Sequence, residues 1–251
     1  MLTAIAFAAV MGRLPLQQPL AAGQTPAKAA PAPPKPILWL TSEGKVLVNG
    51  EEFSPEVNGG ASALPTQYGT AFDFAGEKSG LLFGDQKAFE LTGDMTISAW
   101  LYPRNYAPNG NQSEVLFRGD DRNGWDPFAL LVTANGDVHF VIENDKNEGA
   151  EVTARIKLGR WSHVTATLSV SAGEMKIYVN GMRYDTLKTD KRPFSKLDPK
   201  YTPGVGVGNV QNNKGPHNQP FNGMIQDLRL YDKVVTPQYA GFDHIRDVSS
   251  P

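Results

Sequence analysis

The sequence has no cysteine, which excludes disulfides, thiolate metal sites and cysteine nucleophiles together. It has no charge excess of either sign. Lys and Arg number 24 against 26 Asp and Glu, a formal charge of −2, and no basic tract stands out. Neither a nucleic-acid partner nor an anionic-membrane patch is therefore expected. The histidines, His139, His163, His217 and His244, lie far apart and lack the His-x-x-x-His spacing of a zinc site. No Gly-x-Ser-x-Gly elbow is present for serine hydrolysis. The apolar run Leu2 to Met11 is too short to span a bilayer, so no transmembrane segment is expected.

That run has the length of a signal-peptide core, although no Lys or Arg precedes it, and the small residues Ala21, Ala22 and Gly23 follow as a processing site. Residues 1–23 read as a signal peptide and the protein as exported, whether periplasmic, cell-surface or secreted. Residues 24–36 hold five prolines among alanines and two lysines and read as a stiff, extended linker. A single domain is predicted over 37–237, with a loose C-terminal tail at 238–251.

Within the domain, apolar and polar residues alternate with the period of strands. His163 to Val170 sets Val164, Ala166, Leu168 and Val170 against His163, Thr165, Thr167 and Ser169, and Met175, Ile177 and Val179 repeat the pattern. Asn180-Gly181 supplies the residues that a tight hairpin turn needs. Asp94 to Tyr102, Phe128 to Thr133, Asp137 to Glu143 and Met224 to Tyr231 read likewise. Trp39 is expected in the core, 51–69 and 184–203 as irregular segments, and a short strand before Leu91. Gly204-Val205-Gly206-Val207-Gly208 has the glycines of a phosphate loop, but no helix follows it, so it reads as a strand. Short strands separated by turn residues, with no convincing amphipathic helix, predict an all-β, antiparallel sandwich or jelly roll.

Three stretches carry a resemblance: the strand containing Thr96-Ile97-Ser98-Ala99-Trp100, the Trp161-x-His163-Val164 start with its Tyr178-Val179-Asn180-Gly181 turn, and the closing run from Phe221 to Tyr231. In this order they resemble the laminin-G-like jelly rolls of the concanavalin A-like lectin/glucanase superfamily, over about 37–237. The resemblance implies a glycan- or polysaccharide-binding sandwich, a lectin-like module without catalysis. It also leaves open a glycoside hydrolase, or an adhesion module binding an envelope or matrix protein.

Two stretches carry candidate chemistry. The loop 118–126 combines Arg118, Asp120, Asp121, Arg122, Trp125 and Asp126; carboxylates and guanidinium groups fix sugar hydroxyls while an aromatic face covers the ring's C–H surface. Its first three residues, Arg118-Gly119-Asp120, spell an adhesion tripeptide, a match too short to carry weight. Glu143 and Asn144 are further ligand-binding candidates. Glu143, Asp145 and Glu148 also match the Glu-x-Asp-x-x-Glu spacing of the superfamily's retaining glucanases, whose two carboxyl groups stand about 5 Å apart. Here the intervening Asn144, Lys146 and Asn147 are polar, so the motif reads as a hairpin turn; these three acids are the alternative catalytic set. Asp227 on the closing strand is, by the resemblance, a ligand for a structural calcium ion, with the Ala75-Gly76 or Asn58-Gly59 turn supplying carbonyls.

Overall fold

The computed structural model describes residues 34–75, 78–107, 112–201, 203–211 and 215–242. The signal-peptide reading and most of the linker therefore lie outside the described residues. In chain order the strands are β1 (Leu38–Leu40), β2 (Val46–Val48), β3 (Glu51–Glu52), β4 (Glu56–Asn58), β5 (Ser62–Thr66), β6 (Gly69–Ala75) and β7 (Gly80–Gly84). There follow β8 (Met95–Pro103), β9 (Gln112–Gly119), β10 (Phe128–Thr133), β11 (Asp137–Glu143) and β12 (Gly149–Arg155). The last are β13 (Ser162–Ser169), β14 (Glu174–Val179), β15 (Met182–Lys188), β16 (Gly204–Val207) and β17 (Asn222–Tyr231).

The strands form two antiparallel sheets. The first runs β15-β14-β13-β8-β17-β1-β2-β3, with β6 also pairing to β17 and β5 to β6. The second runs β12-β11-β10-β9-β16-β7-β4. Each sheet turns one alternate set of side chains inward. Met95, Ile97, Ala99 and Leu101 of β8 meet Val164, Ala166 and Leu168 of β13 in the first sheet. Leu116, Phe128, Leu130, Phe140 and Ile142 face them from the second. Burial of this apolar interior drives the fold, and the register is fixed because a slip of one residue would turn each set outward.

Several expectations change. Trp39 lies between the buried Leu38 and Leu40 and faces away from the core, its indole N–H donating to Asp227 Oδ1 at 2.7 Å. The segment 51–69 contains the short strands β3, β4 and β5, and 184–203 begins within the edge strand β15. The strand expected before Leu91 is a 3-10 turn at Lys87–Phe89. The C-terminal residues as far as Phe242 are packed, not loose. Ser98 Oγ donates to the carbonyl of Ala240 at 2.7 Å, Trp100 Nε1 donates to that of Gly241 at 3.2 Å, and Phe242 stacks on Trp100. This segment covers the outward face of the first sheet, which is why Trp100 and His163 are buried there although they alternate with core residues.

Candidate functional site

At one end of the second sheet, the turn joining β11 to β12 and the segment that follows β15 enclose a cleft of about 480 Å³. Its walls include Asn144, Asp145, Lys146 and Glu148 on one side and Asp190 to Ser195 on the other, with Thr92 at the margin. The turn is built by its own side chains. Asn144 Oδ1 accepts from the amides of Lys146 at 2.9 Å and Glu148 at 3.0 Å, and Asn144 Nδ2 donates to Glu148 Oε2. This is the local bonding by which Asn favours turns over strands.

Lys191 bridges the two walls by pairing with Glu148. Bonds from Lys191 and Asn144 hold the Glu148 carboxyl below its ordinary range, so it is ionised. Arg192 is spent on backbone, donating to the carbonyls of Lys191 and Val170. Three cations and three anions thus line a mouth with no net charge.

Arg118 faces inward at the end of the sandwich and is fully buried. Its guanidinium donates to Asp85 Oδ1 at 2.9 and 3.0 Å and to the carbonyls of Phe194 and Ser195 at 3.3 and 2.5 Å. It therefore holds the wall of the cleft in place and offers a ligand nothing. Asp120 is equally buried. Burial raises its pKa, but bonds from Arg122 and from the amides of Asp198 and Arg122 outweigh that and hold the carboxyl below its ordinary range. With both of its charged residues inside, Arg118-Gly119-Asp120 is not presented as an adhesion tripeptide.

Arg122 lies 4.1 Å from the centroid of the Trp125 ring, and Trp125 meets Phe194 edge-on at 5.4 Å. One face of the indole is thus already covered by a cation. Asp121 accepts from Gln211 Nε2 at 2.6 Å. Much of the loop's charge orders the loop.

The two stretches singled out in the sequence nevertheless adjoin. Asn147 Nδ2 donates to the carbonyl of Asn123 at 3.1 Å, and the amide of Glu143 donates to the carbonyl of Pro127 at 3.1 Å. Gly124 has φ +75°, and a Cβ there would lie 2.0 Å from Asn147 Oδ1, so this approach requires glycine. Of the alternative catalytic set, Asp145 and Glu148 line the cleft, whereas Glu143 belongs to β11 and its Oε2 accepts from the Asp126 amide at 3.4 Å. Burial pushes the Glu143 carboxyl up, partly opposed by that amide.

Asp227 has φ +53° at an irregularity in β17. Its Oδ1 accepts from Trp39 and Arg229, and its Oδ2 accepts from Arg229 at 2.8 Å. A carboxylate clasped by a guanidinium does not fit a calcium ion, which needs six to eight oxygens. Among the described residues no group of three or more His, Asp or Glu side chains is arranged for a metal.

Asp190, Lys191, Pro193 and Ser195 were not anticipated as cleft residues, because 184–203 reads as a polar connection. Its run of lysines and arginine was the only available signal, and charge on a loop is ordinarily just solvated.

The architecture defines an antiparallel, lectin-type sandwich with a polar cleft at one end. Residues 74–239 match the concanavalin A-like lectin/glucanases superfamily through its laminin G-type family, and the chain belongs to it. A search of curated protein sequences returned no match. Among solved structures, the chain is similar to the binding domain of paraclostridial mosquitocidal protein 1, with TM-score 0.62 and 12% identity over 82% of this chain and 51% of that one. The botulinum neurotoxin serotype G binding domain aligns with TM-score 0.62 and 13% identity over 82% and 50%. The binding domain of botulinum neurotoxin DC, determined in complex with SialylT, aligns with TM-score 0.58 and 14% identity over the same shares. The chain spans about half the length of these structures, and at such identities the likeness is one of fold.

Proposed function

We propose that this protein is an exported, non-catalytic carbohydrate-binding module whose ligand enters the cleft between the 144–148 turn and the 190–195 segment. The observation that carries the reading is the cleft's lining. Carboxylates of Asp145 and Asp190, the ammonium of Lys146 and the hydroxyls of Thr92 and Ser195 are gathered around one concavity whose opposite charges balance. Such a mixture suits a neutral, hydroxyl-rich ligand, which needs donors and acceptors together and no excess charge. Phe194 supplies an apolar surface in the same cleft. Family membership and the binding-domain neighbours support the reading without naming a glycan. The N-terminal apolar run supports export, which sequencing of the mature N-terminus would test.

The test is binding of the full chain to a panel of soluble and insoluble polysaccharides, with calcium and with chelator, while reducing ends are assayed. Saturable binding without new reducing ends is expected. Asp145→Ala and Lys146→Ala should each weaken it by roughly 10- to 100-fold, the loss of one charge-assisted hydrogen bond. Loss of binding with chelator would reveal a calcium requirement met elsewhere than by the Asp227 carboxylate. New reducing ends abolished by Glu143→Gln would make the protein a hydrolase.

A second reading, a protein-binding adhesion module, is favoured by β15, an edge strand on which Met182 and Tyr184 are 65% and 53% exposed. Failure to bind any polysaccharide would shift the assignment there.

A further inference from the structure

On the outward face of the second sheet lies a group of buried ionisable side chains that the cleft does not use. A bulge opposite Leu130 and Leu131 puts both Val115 and Leu116 in the core and leaves Glu114 and Phe117 on the other face. Across that face run the described residues of the 208–220 connection, which form a strap. Glu114 Oε2 accepts from the amide of Val210 at 2.9 Å, and the amide of Glu114 donates to the carbonyl of Gln219 at 2.8 Å. The His217 ring packs on Phe117 at 4.4 Å between centroids, and its Nε2 lies 3.0 Å from the carbonyl of Asp120.

That bond makes Nε2 the protonated nitrogen of a neutral ring and leaves the Nδ1 lone pair facing Glu114 Oε1 at 3.9 Å. Asp126 Oδ1 stands 3.6 Å from Nε2. Glu114 Oε1 and Asp126 Oδ1 are buried and have no hydrogen-bond partner, a costly state for an ionised carboxylate and a tolerable one for a protonated acid. The other charged groups facing the cluster are Asp120, bound by Arg122, Asp121, bound by Gln211, and Glu143, beside the amide of Asp126. Among the described residues, the charges that act on Glu114, Asp126 and His217 are acidic, and the nearby Arg122 is already paired with Asp120.

We propose that Glu114, Asp126 and His217 form a latch that clamps the strap and the 119–127 loop onto the second sheet while the cluster holds its protons, and that loosens as they are lost. Burial acts in the same sense, pushing Glu114 well up and Asp126 to about 8, the latter helped by the charges of Glu143, Asp120 and Asp121, while it depresses His217. When the latch opens, water reaches Asp126 and its pKa returns to the ordinary carboxylate range, so opening releases a proton. Opening is favoured as pH rises towards 8 and gains nothing further from Asp126 above it, once the closed form is ionised too. Below about 6.5, uptake of a proton by the freed His217 opposes this trend. The effective window therefore runs from about pH 6.5 to about 8. Because Asn123 contacts Asn147 and Asp126 contacts Glu143, the turn that walls the cleft is tethered to the clamped loop. That consequence for ligand binding rests on the carbohydrate-binding reading; the latch does not.

Hydrogen exchange of the full chain, without ligand and corrected for the intrinsic pH dependence, tests the latch. Protection of 208–211, 215–220 and 119–127 should fall about tenfold per pH unit between 6.5 and 8 for the Asp126 proton alone, roughly thirtyfold in all, and more steeply as Glu114 releases its proton too, while β13 and β14 keep theirs. Asp126→Asn, which stays neutral, should lose that proton's share of the slope. Constant protection of the strap across the window, a fall in step with β13, or an unchanged slope in Asp126→Asn would each overturn the proposal. If Asp126→Asn does not fold, the wild-type comparison of strap with β13 decides alone. Since no ligand is present, the result is independent of whether a polysaccharide binds.

Discussion

Removing the Arg118 guanidinium would strand Asp85 and the carbonyls of Phe194 and Ser195 at once. Taking one partner from a buried pair costs about 3–5 kcal/mol, and the lower end applies because Asp85 reaches solvent. Arg118→Leu should therefore lower the urea unfolding free energy by about 3 kcal/mol. Arg118→Lys should recover only part of this, since an ammonium lacks the planar fork that reaches two carbonyls and a carboxylate together. A loss under 1 kcal/mol in Arg118→Leu would mean that the anchor is dispensable. Arg118 illustrates how little a residue's chemistry says without its direction. The planar donor and the acids of the 118–126 loop were legible as recognition chemistry. Yet Arg118 points inward from its strand and Asp120 is satisfied by Arg122, so both serve the fold.

Strand β16 shows why a glycine-rich stretch that resembles a phosphate loop is built into a sheet. Gly204 has φ +85°, and a Cβ there would stand 2.5 Å from the backbone carbon of Gly84 on the neighbouring β7. Substitution thus meets left-handed strain and a backbone clash together. Gly204→Ala should cost more than about 1 kcal/mol in denaturant unfolding, well above an ordinary surface change. A neutral result would mean that β7 and β16 can separate without loss. Strands with clean alternation, such as β8, β11 and β13, were readable because one face meets the core. The edge strand β15 was not. All seven of its residues are at least partly exposed, so alternation had no buried face to report.

Stability as a function of pH follows from ionisable groups perturbed in opposite directions. Asp120 is held below its ordinary value, so its contribution is present above the usual carboxylate range and is lost as pH falls through the folded value. Asp126 is pushed up to about 8, so its contribution is complete below the ordinary range and drains away as pH rises to about 8. His217, depressed by burial, removes stability as pH falls below about 6.5. Glu114, pushed well up by burial, adds in the same sense as Asp126, so the thermal midpoint should decline from pH 6.5 to 8, with a shallower decline in Asp126→Asn. A midpoint that rises over that interval would contradict the protonated cluster.

Alternation, turn residues and three ordered motifs were enough to establish an antiparallel lectin-type sandwich, because burying one face of a strand imposes a period that local sequence must display. The turn at 144–148 was legible for the same local reason, since Asn144 bonds within its own four residues. The cleft was decided by packing alone. Its walls come from stretches about 45 residues apart, and the contact of Lys191 with Glu148 leaves no trace in either stretch read singly. The same holds for Glu114, Asp126 and His217, which the folded chain brings together from three separate connections and strands. Burial there changes what each group can be, because desolvation is a property of the surroundings and not of the residue.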